Sequence, residues 1–254
     1  VTARVLITRP AGSWPALTAR FEGTPIVLQL TPTTQQVAPD DPGPGDEAID
    51  RLVSYDWLVV TSGHGASALL RALAVRGGVG FPSQTRIAAV GPATARALSG
   101  AGFAVALTAS DAHSEGLAAK LGPQVQGGAR VLVVRPEGMP GTLAATLRAA
   151  GAVVDEAPLY RTIASEYAGA LADAAIAGAF DSVVFTAPSS LDLWIEAAGA
   201  RRGALFGALT HLARVAIGPT TAGRLAALGL AAQATAADPS EDAVGDAIEQ
   251  VLHL

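Results

Sequence analysis

Short, almost wholly apolar runs recur along the chain, and most are followed by a stretch whose apolar residues return at helical spacing. The runs at 4–8, 25–30, 56–62, 87–90, 104–108, 131–136, 181–186 and 215–217 are rich in Val, Ile and Leu. Their length and branched content suit strands buried on both faces. Helix-type periodicity occupies 14–21, 46–53, 65–75, 93–99, 114–121 and 220–227. Thr31-Pro32-Thr33-Thr34 interrupts the pattern, and 39–45 is a loop of Pro, Gly and Asp. Strands alternating with helices predict parallel sheets joined by right-handed crossovers, an α/β doubly wound architecture.

The order of these runs repeats. Val131-Leu132-Val133-Val134-Arg135-Pro136 echoes Val5-Leu6-Ile7-Thr8-Arg9-Pro10, and Asp181-Ser182-Val183-Val184-Phe185-Thr186 echoes the run that starts at Asp56. Ile217-Gly218-Pro219-Thr220-Thr221-Ala222 echoes Val90-Gly91-Pro92-Ala93-Thr94-Ala95. Ser240-Glu241-Asp242-Ala243 resembles Ser114-Glu115-Gly116-Leu117. Four units in one order at one offset, about 126 residues and so half the chain, indicate an internal duplication.

The Gly-Pro units show where chemistry would sit. Each leaves a strand and opens a helix: Gly91 and Gly218 permit the turn, and Pro92 and Pro219 fall where the missing N–H costs little. The first N–H groups of such a helix have no partner within it and can hold an anion. In doubly wound sheets ligands bind beyond the carboxyl ends of the strands. Those ends carry Thr8-Arg9, Thr61-Ser62, Gly91, Arg135, Thr186 and Gly218-Pro219-Thr220. Two modules offer two such edges to one ligand.

Composition narrows the choice of ligand. The 254 residues contain no cysteine, which excludes disulfides and thiolate metal sites, and the four histidines (His64, His113, His211, His253) lack ligand spacing. No metal or cofactor is expected. Of 17 basic residues only Lys120 is a lysine, and the net charge of −5 argues against a nucleic-acid partner. The chain holds no 18-residue apolar run and opens directly on a strand, so neither a membrane span nor a signal peptide is expected, and the cytoplasm is the expected compartment. There is no P-loop sequence, no G-x-S-x-G elbow and no paired-carboxylate unit, and the run Gly77-Gly78-Val79-Gly80 follows a helix rather than a strand. What remains is an anion held by backbone N–H groups, hydroxyls and a few arginines, with sparse acid–base equipment.

With these residues in hand, the chain resembles the uroporphyrinogen-III synthase family. The resemblance is carried by Ile7-Thr8-Arg9-Pro10, by Thr61-Ser62 after Asp56-Trp57, by Val90-Gly91-Pro92-Ala93-Thr94-Ala95-Arg96, by Ser114-Glu115-Gly116-Leu117, by Ala157-Pro158-Leu159-Tyr160-Arg161-Thr162 and by Ala216-Ile217-Gly218-Pro219-Thr220-Thr221-Ala222. These stand in the family's order across essentially the whole chain. The resemblance implies two doubly wound parallel-sheet lobes (flavodoxin-like) joined by a two-segment linker. One lobe would comprise 1–33 plus 165–254 and the other 36–158, with crossing segments near 31–35 and 159–164. The repeats would then have exchanged their first units.

The resemblance also implies a reaction without a cofactor. Hydroxymethylbilane, a linear tetrapyrrole with eight carboxylates, loses its terminal hydroxyl to give an azafulvene. Ring D attacks through its substituted carbon, and the spiro intermediate fragments and closes with ring D inverted. The enzyme's task is largely to impose one folded geometry. By position, Tyr160 matches the family tyrosine that assists departure of the hydroxyl, and Thr220 is the second catalytic candidate. Arg9, Thr61, Ser62, Gly91, Thr94, Arg135, Ser189, Gly218 and Thr221 are the substrate-binding candidates. The chain departs from the family at Ala187, where serine is common, at His64, where asparagine is usual, and at Met139-Pro140, which replaces a segment that often carries a basic residue. A monomer is expected. Two rival readings share the architecture: a non-catalytic tetrapyrrole-binding or regulatory module, and a periplasmic-type receptor, which would need an export signal. His64 reads as an exposed helix-start residue, and Trp14, Trp57 and Trp194 as packing residues.

Overall fold

The computed structural model describes residues 2–77, 84–109, 114–138 and 141–252. Gly78 to Gly80 of the glycine-rich run, Met139-Pro140, His113 and His253 lie outside the described residues. The chain begins with β1 (Ala3–Ile7), α1 (Pro15–Phe21), β2 (Ile26–Leu30) and β3 (Thr34–Val37). It continues through α2 (Gly43–Asp50), β4 (Trp57–Val60), α3 (Gly63–Val75), β5 (Arg86–Ala89), α4 (Pro92–Gly100), β6 (Val105–Thr108) and α5 (Ser114–Leu121). Then come β7 (Arg130–Pro136), α6 (Thr142–Ala149), β8 (Val153–Ala164), α7 (Ala168–Ile176), β9 (Ser182–Phe185) and α8 (Pro188–Ala197). The last elements are α9 (Arg202–His211), β10 (Ala213–Ala216), α10 (Pro219–Ala227), β11 (Ala234–Thr235) and α11 (Glu241–Leu252).

Two compact units result. The first is Val1–Gln35 with Ile163–Leu254, and the second is Gln36–Thr162. The first holds a five-stranded sheet ordered β11-β10-β9-β1-β2; the six-stranded sheet is ordered β3-β8-β7-β4-β5-β6. In chain order the five-stranded sheet runs 2-1-3-4-5, the flavodoxin-like order. If β7 and β8 stand for β1 and β2, the other sheet repeats it strand for strand as β8-β7-β4-β5-β6. The sheets share one spatial order and differ in connectivity, because the first two strands of each repeat have changed places.

Both sheets are sandwiched between helices, which is why their central strands read as unbroken apolar runs. Side chains alternate between faces: Trp57 and Val59 of β4 join one core cluster, Leu58 and Val60 the opposite one. In the first unit Leu6, Val183 and Phe185 pack with Trp194 and Leu205, while Val5, Ile7 and Val184 pack with Trp14 and Ile248. The three tryptophans are all buried, as their packing role requires. Each large aliphatic side chain so buried contributes roughly 1.5–3 kcal/mol.

One close approach fixes the second unit. Gly45 of α2 faces β8 so tightly that a Cβ there would lie 2.8 Å from Pro158 O and 2.9 Å from Leu159 Cδ2. Only glycine lets this helix reach the strand that carries Tyr160.

Candidate functional site

In the second unit the strand ends assemble around Tyr160. The β7–β8 register places Arg135 opposite Pro158 but Pro136 opposite Tyr160, so Leu159 is an extra residue. Such a bulge re-aims the side chain that follows it. Tyr160 is 4% exposed, and its Oη lies 2.9 Å from Ser62 Oγ. Its carbonyl also accepts the Glu137 N–H at 2.7 Å. Burial pushes the Tyr160 phenol above its ordinary pKa, and the Ser62 bond pulls in the other direction. The phenol is therefore protonated at neutral pH.

Ser62 stands just past β4 in extended conformation and caps α3: its Oγ accepts the Gly65 N–H at 2.9 Å. Its neighbour Thr61 donates to Val134 O at 3.2 Å, tying the ends of β4 and β7 together. His64 is exposed on the first turn of α3, its ring centroid 6.4 Å from that of Tyr160. Arg135 is engaged at home. Its Nε forms an ion pair with Glu156, its Nη1 donates to Pro136 O at 2.8 Å, and Glu156 also receives Arg148 at 3.1 Å.

Gly91 opens α4 from an extended backbone with Pro92 in the first turn, and Thr94 is 4% exposed. In the first unit Gly218 opens α10 in the same way, with extended φ and Pro219 in the first turn. Here the two threonines divide: Thr220 is exposed at the helix start, whereas Thr221 is 2% exposed. Thr94 and Thr221 thus occupy equivalent inward positions. Thr220, at the position of Ala93, is the hydroxyl that this corner presents outward.

The end of β1 meets the end of β9 in the same unit. Thr186 Oγ1 donates to Thr8 O at 3.0 Å, the counterpart of the Thr61 bond to Val134 in the other sheet. Thr8 adds more: its Oγ1 donates to Val184 O at 3.1 Å and accepts the Thr186 N–H at 3.1 Å. Arg9 stacks on Trp14, its Cζ 4.4 Å from the ring centroid. Desolvation lowers its pKa, and nearby Glu241 works against that. Ser189 lies half-buried in the first turn of α8, but Ser190 does the capping. Ser190 Oγ donates to Ala187 O at 2.6 Å, and its carbonyl accepts the buried Thr33 hydroxyl at 2.7 Å.

Among the candidates, then, Tyr160, Ser62 and Thr61 lie on the same strand edge, with Tyr160 and Ser62 in direct contact. Arg135 is on that edge but paired. Gly91 and Thr94 start the helix after β5, and Arg9, Ser189, Gly218, Thr220 and Thr221 line the edge of the other sheet. Sequence reasoning missed the structural parts of Ser190, Thr8 and Glu156. The Ser pair after Pro188 was a signal for a cap, but which hydroxyl turns back depends on the first helical turn. Among the described residues no group of histidines and carboxylates could hold a metal ion. No helix of the described residues is long and apolar enough to cross a membrane.

Comparison with known proteins bears on what this edge serves. The family model described as uroporphyrinogen-III synthase HemD matches residues 16–245, nearly the whole chain. The chain belongs to the uroporphyrinogen-III synthase family. Among similar proteins, the uroporphyrinogen-III synthase of Synechococcus elongatus is 29% identical over 159 residues, 62% of this chain and 60% of the relative. A relative from Methanothermobacter thermautotrophicus is 30% identical over 206 residues, 80% of this chain and 79% of its own length. Among solved structures, a mutant uroporphyrinogen III synthase of Thermus thermophilus superimposes with a TM-score of 0.71 at 21% identity, covering 99% of each chain. That likeness shows a shared fold across the chain. The uroporphyrinogen-III synthase family consists of cyclising hydro-lyases of porphyrin biosynthesis, and it implies hydroxymethylbilane as the substrate.

Proposed function

We propose that this protein closes hydroxymethylbilane to uroporphyrinogen III, inverting ring D and releasing water, with Tyr160 as the proton donor to the departing hydroxyl. The observation that carries the reading is a buried, protonated phenol on a bulged strand at the carboxyl edge of a doubly wound sheet. A phenol is a weak acid, but hydrogen bonding to a leaving oxygen needs only a proton held in place. The terminal C–O bond breaks and its electron pair leaves with the oxygen, which departs as water once protonated. The azafulvene left behind is attacked by the substituted carbon of ring D, and the spiro intermediate fragments and recloses.

The carboxylates of the substrate find complementary groups of two kinds. The N–H groups that open α4 and α10 at Gly91 and Gly218 carry the positive end of each helix. Thr220 adds an outward hydroxyl at the Gly218 corner, with Arg9 and Ser189 on the same sheet edge, and Thr61 stands at the end of β4, the strand beside β5, in the other unit. Thr94 and Thr221, turned inward, serve this reading through their backbone, and Arg135 serves it by exchanging Glu156 for a substrate carboxylate. The protein acts as a monomer in the cytoplasm. No metal or cofactor has a part in this scheme.

The test is chromatographic. Enzymatically generated hydroxymethylbilane given to the purified protein should yield the type III isomer. A product that is type I throughout, the outcome of spontaneous closure, would leave a tetrapyrrole-binding module in place of an enzyme.

A further inference from the structure

The hydroxyl that touches Tyr160 has one of its hydrogen-bonding positions already filled. A serine hydroxyl offers one proton and two lone pairs. One lone pair of Ser62 takes the Gly65 N–H at 2.9 Å, which leaves the proton and one lone pair for the Tyr160 Oη, also at 2.9 Å. Ser62 is not free to drift. Gly65 is buried, and a Cβ there would lie 3.4 Å from Val134 Cγ1 and 3.5 Å from Val60 Cγ1. The first turn of α3 is thus seated against β4 and β7, and the cap bond holds Ser62 to that turn. Tyr160 is equally fixed, by the bulge at Leu159 and the Glu137 bond to its carbonyl.

Two hydrogen-bond polarities are available to the pair. If Tyr160 donated to Ser62, its proton would be turned away from any substrate. If Ser62 donates, the phenol proton is left for another acceptor. We infer that Ser62 is the positioning residue of Tyr160: it donates its proton to Tyr160 Oη and so aims the phenol O–H at the departing hydroxyl of the substrate. Ser62 is therefore not a contact for a substrate carboxylate. This rests on the reading of Tyr160 as the proton donor.

The proton balance follows. Tyr160 gives its proton to the leaving oxygen as the C–O pair departs, and the phenolate keeps the Ser62 hydrogen bond. The proton that ring D loses on closure restores the phenol. A hydrogen bond donated to Oη stabilises the anion formed in that interval, consistent with the downward pull of Ser62 on the Tyr160 pKa.

The experiment is a double-mutant cycle on the full chain, with turnover of hydroxymethylbilane and product isomer read together. Ser62→Gly removes the hydroxyl, while glycine is well tolerated at a helix cap. A thermal melt confirms that the variant is folded. Ser62→Thr keeps both the cap and the donor. We expect Ser62→Gly to lower kcat about fourfold, no more than loss of the Tyr160 hydroxyl itself, with KM within about twofold of the parent. Ser62→Thr should restore kcat to within about twofold. In a Tyr160→Phe background, Ser62→Gly should change nothing further. A raised KM with unchanged kcat would make Ser62 a substrate contact and overturn the inference. So would an equal loss of kcat with and without the Tyr160 hydroxyl. If Tyr160→Phe alone keeps full kcat, the reading of Tyr160 itself falls; if Tyr160→Phe is slow and Ser62→Gly is not, only the role of Ser62 falls.

Discussion

Arg214 on β10 is 9% exposed, yet it faces carbonyls rather than a carboxylate. Its Nε is shared between Leu230 O at 3.2 Å and Ala231 O at 3.1 Å. Its Nη1 donates to Leu212 O at 2.7 Å and to Leu209 O. One guanidinium thereby closes the end of α9 and the loop from α10 to β11. The duplication supplies the natural substitution. Arg214 sits opposite Val183 on β9 as Ile87 sits opposite Leu58 on β4, and Ile87 is 1% exposed. An isoleucine therefore fits this strand position sterically. In Arg214→Ile three N–H donors that serve four carbonyls disappear, the shared Nε–H counting once, at about 1.5 kcal/mol per donor for bonds to a charged group. Apolar burial and the released arginine desolvation return about 2 kcal/mol. The net loss should be about 2–3 kcal/mol, a fall in urea midpoint on the order of 1 M. Hydrogen exchange should accelerate at residues 228–233, where the carbonyls lose their donor. Arg214→Lys should lie between, since an ammonium cannot span both ends. A variant within about 0.5 kcal/mol of the parent, or one destabilised with residues 228–233 still protected, would refute the reasoning.

Other outcomes follow from features of the second unit. Tyr160→Phe should slow turnover several-fold, about 1 kcal/mol, without abolishing it, because geometry supplies most of the catalysis; full turnover would remove Tyr160 from the mechanism. Burial pushes both Tyr160 and Tyr55 upward, and the bond from Tyr55 to Asp155 at 2.7 Å adds to the shift of Tyr55. Both raised values favour the protonated fold, so stability should hold below about pH 10 and fall as the pH rises through the folded-state values. Urea midpoints at pH 8 and above pH 10 check this, and an unchanged midpoint at alkaline pH would refute it. Gly45→Ala should destabilise by about 1–3 kcal/mol, because its methyl would press on the backbone of β8. It should also slow turnover by displacing the strand that holds Tyr160; an unaltered melt would mean that α2 can move away freely.

The fold was largely legible. Every strand with both faces buried announced itself as an apolar run, and the duplication is borne out by two sheets that share one spatial order once β1 and β7 are matched. The strands that escaped notice are those without that signature, and the helices at 142–149, 168–176, 188–197, 202–211 and 241–252 were not singled out either. Thr34–Val37 forms β3 although its side chains are mostly polar, because an edge strand needs backbone partners more than apolar faces. β8 runs unbroken for 12 residues through Pro158, with a bulge that no periodicity reveals. At the candidate site, residue types were readable and their pairings were not. Thr8-Arg9 and Arg135-Pro136 look alike in sequence, yet Arg9 lies on an indole and Arg135 against Glu156. Nor could the sequence say that Thr220 faces outward and Thr221 inward, which is settled by the phase of α10.

The exchange of first units also sets the order in which the chain can finish folding. Gln36–Thr162 is one unbroken stretch, so every strand from β4 to β8 is at hand once that stretch has been made. The other unit has no such luxury. β1 belongs between β2 and β9, with Val5 opposite Ser182, and β9 is separated from it by the entire second unit. At ribosomal rates of about 5–20 residues per second, β1 and β2 wait roughly 10–40 s for β9 to β11 to emerge. Through that interval Val5, Leu6 and Ile7, all fully buried in the finished sheet, lack half of their neighbours. A permuted chain with β1 to β2 moved directly ahead of α7 would remove the wait while keeping every contact within that sheet.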